Sequence, residues 1–248
     1  MKVFRPCVVI PVYNHGENIA AVVAALVARD LPCYLMDDGS GRACRAVLAR
    51  LAAAHPGVML IRHERNRGKG VVVGDGLRAA ARAGYSHALQ VDADGQHDLA
   101  AVPRFLAAAR SRPEAVIAGC RPYASMPKGR RYGRAITDFW VWLHTLSPAV
   151  RDSMCGYRLY PLAATVALLN RTGIGKRMDF DTDILVRLLW EGVPLEQIEV
   201  QVRYPDGVPS HFHMVRDNLR ISAMHSRLFV GMLRRLPRLL LRKWERVR

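Results

Sequence analysis

The sequence predicts an α/β fold in which helices cover both faces of a mostly parallel β-sheet. Short apolar runs typical of strands alternate with Ala-rich helical segments through the first half of the chain. Hydrophobic residues make up 50% of the 248 positions, enough to build a large core. A polar cluster follows each of the first four strand-like runs, and in a parallel sheet such clusters meet at the edge where ligands bind.

Each predicted strand is a short run of apolar residues that ends at polar or turn-forming ones. In chain order the strands are CVVIPV, CYLMD, VMLIR, HALQV and AVIAGC. The helices between them are predicted near Glu17–Arg29, Arg42–His55, Gly70–Ala83 and Ala100–Arg110.

After Cys120 the alternation loosens. Residues 121–134 contain Pro, Gly and five basic residues (four Arg and one Lys), which predicts a mobile basic loop. The elements expected beyond it are helices at Ile136–Leu146, Leu162–Asn170 and Asp181–Glu191, with a short segment GYRLYP and a late strand LEQIEVQVRY.

We expect one catalytic domain at residues 1–214 and a basic helical segment at 215–248. Residues 223–248 contain a stripe of apolar residues at helical spacing, with basic residues largely on the other side. The stripe consists of Phe229, Leu233, Leu236, Leu240 and Trp244. Such a helix can lie in a membrane interface or pack on the catalytic core with its basic face exposed.

The formal charge of +16 and a pI of about 10.4 indicate a polyanionic partner. Nucleic acid, an anionic membrane face and a phosphorylated small molecule each fit. The five Cys lack CxxC spacing, which argues against a disulfide scaffold or a zinc site. We see no signal peptide and no apolar run that could cross a bilayer, so we expect a cytoplasmic protein.

The segment VDADGQHD, residues 91–98, follows a strand-like run directly. Asp92 and Asp94 can converge in the turn on one hard cation, such as Mg²⁺ or Mn²⁺. Taken alone, the pair is more typical of an Asx-type turn that ends a strand.

Four motifs follow strands in order: PVYN at 11–14, DDGS at 37–40, RNRGKG at 65–70 and DADGQH at 92–97. Together they resemble the family 2 glycosyltransferases, which have the GT-A fold and use nucleotide sugars. The resemblance extends from Val8 to Tyr204. It is closest to the branch that glycosylates polyprenyl or dolichyl phosphates, where a DADxQH-type motif precedes a signature that here reads GCR.

The resemblance implies a Rossmann-like nucleotide-sugar-binding sheet and assigns roles to particular positions. Residues along the nucleoside would be Pro11, Tyr13, Glu17, Asp37 and Asp38. Asp92 and Asp94 would hold the sugar diphosphate through Mg²⁺ or Mn²⁺, with Gln96 as a further ligand. Further contacts to the nucleotide sugar are expected from Lys69, Asp92, Arg121 and Arg203.

A second acidic cluster precedes a predicted helix. Asp181 matches the position of a catalytic carboxylate in many family 2 enzymes, with Asp183 supporting it or capping the helix. Residues two apart on a helix do not face each other, so the two cannot both aim into one site. A hydroxyl acceptor needs such a base, whereas a lipid phosphate is already anionic and does not.

The sequence thus predicts a metal-dependent, inverting glycosyltransferase. It would move a sugar from a UDP- or GDP-sugar to a lipid-linked or polyprenyl-phosphate acceptor at the inner face of the cytoplasmic membrane, held there by the C-terminal helix. One alternative is a transferase that acts on a soluble glycan or small-molecule hydroxyl. A basic nucleic-acid-binding protein is another, although no nucleic-acid-binding motif is present.

Overall fold

The computed structural model describes residues 3–122, 128–202 and 214–245. Seven strands form one sheet. They are β1 Pro6–Val12, β2 Cys33–Asp37, β3 Val58–Arg62, β4 His87–Gln90, β5 Val116–Cys120, β6 Arg158–Pro161 and β7 Leu195–Glu199. Their order across the sheet is β3-β2-β1-β4-β6-β5-β7, and all run parallel except β6, which is antiparallel to both of its neighbours.

Eight α-helices pack around this sheet. They are α1 Ile19–Val27, α2 Arg42–Ala54, α3 Lys69–Arg82, α4 Val102–Ser111, α5 Lys128–Thr145, α6 Leu162–Arg171, α7 Phe180–Trp190 and α8 Met214–Glu245. A short 3₁₀ helix at Leu99–Ala101 precedes α4.

Helices on both faces bury the sheet, as the sequence predicts. Strand β1 shows why, since its side chains alternate between the two faces. Val8 and Ile10 join the core beneath α1, α2 and α4, whereas Cys7 and Val9 join the core beneath α3, α6 and α7. A strand buried on both faces must be apolar along its length, which explains the unbroken run CVVI.

The antiparallel strand β6 brings the chain segment that precedes it to the carboxyl ends of the parallel strands, the edge of the sheet where ligands are expected. Arg158, the first residue of β6, pairs with Gln90, the last residue of β4. The residues just before β6 therefore lie beside the turn that follows β4.

The prediction of a mobile loop at residues 121–134 is wrong for its second half, because α5 begins at Lys128. The guanidinium of Arg134 is buried and donates to the carbonyl oxygens of Arg121 and Arg151. These bonds fix the first turns of α5 against the sheet. Residues 123–127 lie outside the described ranges.

Helix α8 starts at Met214, one residue before the predicted helical segment 215–248, and packs on α5 and α7. Its buried apolar side chains, Met224, Leu228 and Met232, belong to the core beneath α7. In the part of the chain that the structure describes, none of the helices is long and apolar enough to cross a membrane.

Two buried histidines join α5 to α8. His144 Nε2 lies 3.1 Å from His225 Nδ1, and the ring of Trp140 lies within 6.0 Å of both imidazoles. Among the described residues, the other nitrogen of each ring finds no hydrogen-bond partner. The contact is therefore built for two neutral imidazoles.

We expect the free energy of unfolding to fall as the pH is lowered from 6.5 towards 4. Burial lowers the pKa of both imidazoles to about 4 from 6.5, and the neighbouring His225 further disfavours charge on His144. Within this window the unfolded chain binds protons that the folded chain does not, so stability present above pH 6.5 is lost on acidification. Chemical denaturation of His225→Leu should show a weaker pH dependence there. His55→Gln, outside this contact, should keep the wild-type dependence, and an unchanged dependence in His225→Leu would contradict the assignment.

Candidate active site

The turns after β1 and β2 are tied to each other. Asn14 adopts a left-handed backbone with φ of 58°, and its N–H donates to Ser40 Oγ at 3.0 Å. In return its side-chain oxygen accepts from the N–H of Gly41 at 2.8 Å. These bonds hold the PVYN and DDGS motifs side by side at the carboxyl edge of the sheet.

Both carboxylates of the DDGS motif are buried and organise the neighbouring loops. Asp37 accepts from the N–H of Ser40 and from Arg62 Nε, each at 2.9 Å. Asp38 accepts from the N–H groups of Arg67 and Gly68 at 2.7 and 2.8 Å. Asp38 therefore fastens the RNRGKG loop beside β2 and sets the start of α3.

The ammonium group of Lys69 joins two of the predicted site carboxylates. Lys69 is the first residue of α3, Asp92 follows β4, and Asp181 lies in the first turn of α7. Lys69 Nζ lies 2.8 Å from Asp92 Oδ1 and 3.1 Å from Asp181 Oδ2. Three separate elements therefore converge on one partly buried cation.

Charge pairing sets the ionisation of this cluster. Burial alone would lower the pKa of Lys69, but attraction to Asp181 and Asp92 outweighs it and raises that pKa above its usual range. Burial would raise the pKa of Asp92, but Lys69 and His97 hold that pKa well below its usual range. His97 Nε2 lies 3.4 Å from Asp92 Oδ2. Lys69 and Asp92 thus stay charged at neutral pH.

A chain of hydrogen bonds from residues of β4 and β6 holds Asp181 in place. Gln90 Nε2 donates to Asp181 Oδ1 at 3.0 Å, and the Tyr160 hydroxyl donates to Gln90 Oε1 at 3.3 Å. The buried Arg158 guanidinium donates to the backbone carbonyl of Asp181. All of these groups are buried, so the carboxylate has little freedom to turn.

The residues of the DADGQH motif fit a hard divalent cation. Asp92 Oδ1 is buried and makes no hydrogen bond within the described ranges, only its ion pair with Lys69. Asp94 is partly exposed and accepts with one oxygen from the N–H of Gln96 at 3.0 Å. No group of three or more His, Cys, Asp or Glu among the described residues could hold a metal. The protein would therefore supply few ligands, leaving the others to phosphate and water, as is common for Mg²⁺.

The family model described as Glycosyl transferase family 2 matches residues 7–174, which include the strand-end motifs and the Lys69–Asp92 pair. The chain belongs to glycosyl transferase family 2. It is accordingly a nucleotide-sugar-dependent glycosyltransferase, as its sequence predicts.

Named relatives lie in the expected branch of the family. Polyprenol monophosphomannose synthase of Mycolicibacterium smegmatis is 29% identical over 174 residues, which are 63% of this chain and 61% of that protein. Undecaprenyl-phosphate mannosyltransferase of Micrococcus luteus is 24% identical over 206 residues, which are 79% of this chain and 82% of that protein.

A solved structure shows the GT-A fold. Glucosyl-3-phosphoglycerate synthase from Mycobacterium tuberculosis, crystallised with Mn²⁺ and UDP-glucose, superposes with a TM-score of 0.67 at 16% identity. The match covers 94% of this chain and 79% of that one. The fold predicted from the strand-end motifs is confirmed.

Asp183, which the sequence groups with Asp181, points elsewhere in this glycosyltransferase. Its carboxylate pairs with Arg187 and accepts from the N–H of Gly175 at 2.8 Å. Burial raises the pKa of Asp183, although Arg187 opposes the rise. The two aspartates lie on different sides of α7, as helix geometry requires.

Arg121 of the GCR signature is held by a buried carboxylate. Its guanidinium donates to both oxygens of Asp152, at 2.8 and 3.0 Å. Burial alone would raise the pKa of Asp152, but Arg121 and the nearby Arg134 hold that pKa below its usual range. Asp152 therefore fixes the position of Arg121.

The other predicted nucleotide contacts occupy the same edge of the sheet or lie outside the described residues. Pro11 and Tyr13 are partly buried at the end of β1, and Glu17 is exposed before α1. Arg203 lies outside the described ranges.

Sequence reasoning missed the supports of the cluster: Gln90, Gly156, Arg158 and Tyr160. Gln90 could have been noticed, because it is a polar residue near the end of the strand-like run HALQV. Gly156 contributes by having no side chain, since a Cβ there would lie 2.7 Å from Lys69 Nζ and 2.8 Å from Gln90 Nε2. No sequence pattern predicts that the backbone at Gly156 lies so close to Lys69 and Gln90.

We expect Gly156→Ala to disturb the cluster. The added methyl must displace Lys69 or Gln90, which should lower the free energy of unfolding by about 1–3 kcal/mol and weaken nucleotide-sugar binding. Gly173→Ala is the control, because a Cβ at Gly173 meets nothing within 4 Å. Denaturation and ligand titration measure both effects. If Gly156→Ala kept the wild-type stability and nucleotide-sugar affinity, the close packing of Gly156 against Lys69 and Gln90 would be contradicted.

Proposed function

We propose that this enzyme is a metal-dependent, inverting glycosyltransferase that moves a sugar from a UDP- or GDP-sugar to a polyprenyl-phosphate or other lipid-linked acceptor at the membrane surface. The observation that carries the proposal is the convergence of Lys69, Asp92 and Asp181 beside Asp94 at the sheet edge. Such a cluster gives a diphosphate both a fixed cation and carboxylates that can hold a metal ion.

The donor would lie across the ends of β1, β2 and β4. Asp37, the last residue of β2, and Asp38 would meet the nucleoside, since carboxylates accept from base N–H and ribose hydroxyl groups. Lys69 would lie against the diphosphate. Arg121, oriented by Asp152, would be a further cation for phosphate oxygens, which arginine binds in pairs.

Asp92 and Asp94 would hold the ion, with Gln96 beside them. A bound Mg²⁺ or Mn²⁺ would neutralise charge on the departing nucleoside diphosphate. The Mn²⁺ in the structure of the mycobacterial synthase supports a divalent ion in an enzyme of this fold.

The lipid-phosphate acceptor is supported by the relatives, two of which are named for transfer to polyprenol phosphates. A second support is the surface of α8. Four exposed apolar residues lie four or seven positions apart and so share one helix face, the apolar face: Phe229, Leu233, Leu240 and Trp244.

Helix α8 also carries exposed basic residues. The spacing of Arg227, Arg234 and Arg238 places them together on a side of α8 away from the apolar face, as the sequence predicts. Arg235 and Arg242 instead pack on the core, since Arg235 lies over the Trp190 ring and Arg242 donates to the Trp190 carbonyl oxygen. We propose residues 1–214 as the catalytic part and 215–248 as the segment that contacts the inner face of the membrane.

We expect a UDP- or GDP-sugar with Mn²⁺ to raise the melting temperature of the wild type. A ligand at about 100 times its Kd adds about 2.7 kcal/mol of stability, which a thermal-shift assay detects. Asp94→Ala should lose the metal-dependent part of the stabilisation. Asp98→Asn, in the same segment but bonded to the N–H of Ala100, should retain it. A wild type that no nucleotide sugar stabilises would contradict the proposed donor site.

We expect the apolar face of α8 to bind vesicles that contain phosphatidylglycerol. Burial of one leucine contributes about 1.5–3 kcal/mol, so Leu240→Glu should weaken binding about tenfold or more. Val3→Glu makes the same change at an exposed position outside α8 and should bind like the wild type. Vesicle co-sedimentation measures the difference, and equal binding by all three proteins would contradict the membrane contact.

A further inference from the structure

Both carboxylate oxygens of Asp181 are already engaged. Oδ1 accepts from Gln90 Nε2 at 3.0 Å, and Oδ2 lies 3.1 Å from Lys69 Nζ. The residue is 5% exposed. A general base must reach the proton of the acceptor, whereas both oxygens of Asp181 face protein partners and its carboxylate is almost completely buried.

The surroundings of Asp181 hold it in this state. Gln90 is itself held by the Tyr160 hydroxyl, and Arg158 holds the backbone carbonyl of Asp181. The Asp181 carboxylate is also one of the two that hold the Lys69 ammonium. Removal of one partner from such a pairing is destabilising, because it leaves the other charge with less compensation.

His97 does not replace Asp181 as a base. Its Nε2 faces Asp92 at 3.4 Å, and its Nδ1 is buried without a hydrogen-bond partner among the described residues. Neither ring nitrogen is placed to meet an incoming hydroxyl group.

Lys69, by contrast, is placed to act on the donor. It lies between Asp181 and Asp92, the carboxylate next to which the diphosphate is proposed to bind. Removal of Asp181 would leave the ammonium tied to Asp92 alone and free to swing away from the diphosphate.

We propose that Asp181 is a positioning residue that acts through Lys69 on the diphosphate of the donor. This inference rests on the proposed function, in which an already ionised phosphate oxygen of the acceptor forms a bond to the anomeric carbon while the bond from this carbon to the diphosphate breaks. The electron pair leaves with the nucleoside diphosphate, and Asp181 is not needed as a base.

The first test is a double-mutant cycle on donor affinity without any acceptor. The variants are Lys69→Met, Asp181→Asn and the two together, titrated with the stabilising UDP- or GDP-sugar and Mn²⁺. Each single change should weaken binding, and Asp181→Asn should add nothing once Lys69 is gone, because residues in one network are not additive. Glu191→Gln, a carboxylate-to-amide change at the other end of α7, should bind like the wild type.

Melting temperatures of all variants are measured alongside, because the cluster is buried. Gln90→Met leaves the charges intact and loosens Asp181 from the other side, so it tests the same claim if Lys69→Met folds poorly. It should weaken donor binding less than Asp181→Asn does. Unchanged donor affinity in Asp181→Asn would overturn the positioning role.

The second test measures turnover with polyprenyl phosphate. Asp181→Asn should lower kcat less than the loss of a general base, which costs about 10²–10⁴-fold, and should keep the shape of the wild-type pH profile. A fall of that size that added formate restores would show that Asp181 is a base. Transfer by the wild type to a free polyprenol but not to its phosphate would overturn the proposed acceptor and the ionised-oxygen claim, whereas the donor cycle would still decide the positioning role.

Discussion

The placement of Lys69 between Asp92 and Asp181 is the interaction on which the architecture of the site depends. The three residues come from the start of α3, the end of β4 and the first turn of α7, so their contact fixes three elements at once. Buried charges are tolerated only when paired, and this pairing makes the relative positions of those elements hard to change. The donor site is therefore rigid on the side where the diphosphate is proposed to lie.

Secondary supports extend this rigidity. Asp38 fastens the loop before α3 through two backbone N–H groups, and Asp152 fixes Arg121 through both guanidinium nitrogens that face it. In each case a buried carboxylate holds a neighbouring loop or side chain of the protein in place. Lys69 and Arg121, each paired with carboxylates, are the cations that we propose to meet phosphate, which fits the high net charge of the chain.

Much of the fold could be predicted from sequence, because strand and helix periods differ and each strand ends in a polar turn. The direction of β6 could not, since a short segment such as RLYP can form a strand in either direction and only tertiary pairing decides it. Arg134 misled the prediction in a different way: basic residues with Gly and Pro are typical of a loop, yet its guanidinium is buried at the start of α5. The motif residues Lys69, Asp92 and Asp181 could be singled out, but their contact, and the support from Gln90 91 positions before Asp181, needed the fold.

The sequence left open whether α8 packs on the core or meets a membrane. In the structure one face packs on α5 and α7, while the apolar face that we propose for membrane contact remains exposed. Because α8 packs on the core, binding of its apolar face to a membrane would hold the catalytic site at the membrane surface, where the proposed lipid acceptor lies.

The central claim is transfer from a nucleotide sugar to a lipid phosphate, and a side-by-side acceptor assay tests it most directly. The purified full chain would be given the stabilising UDP- or GDP-sugar, Mn²⁺ and vesicles that carry either polyprenyl phosphate or the matching free polyprenol. The account predicts glycosylated lipid from the phosphate alone. Product from the polyprenol alone, or from neither lipid while a soluble hydroxyl compound is glycosylated, would contradict it.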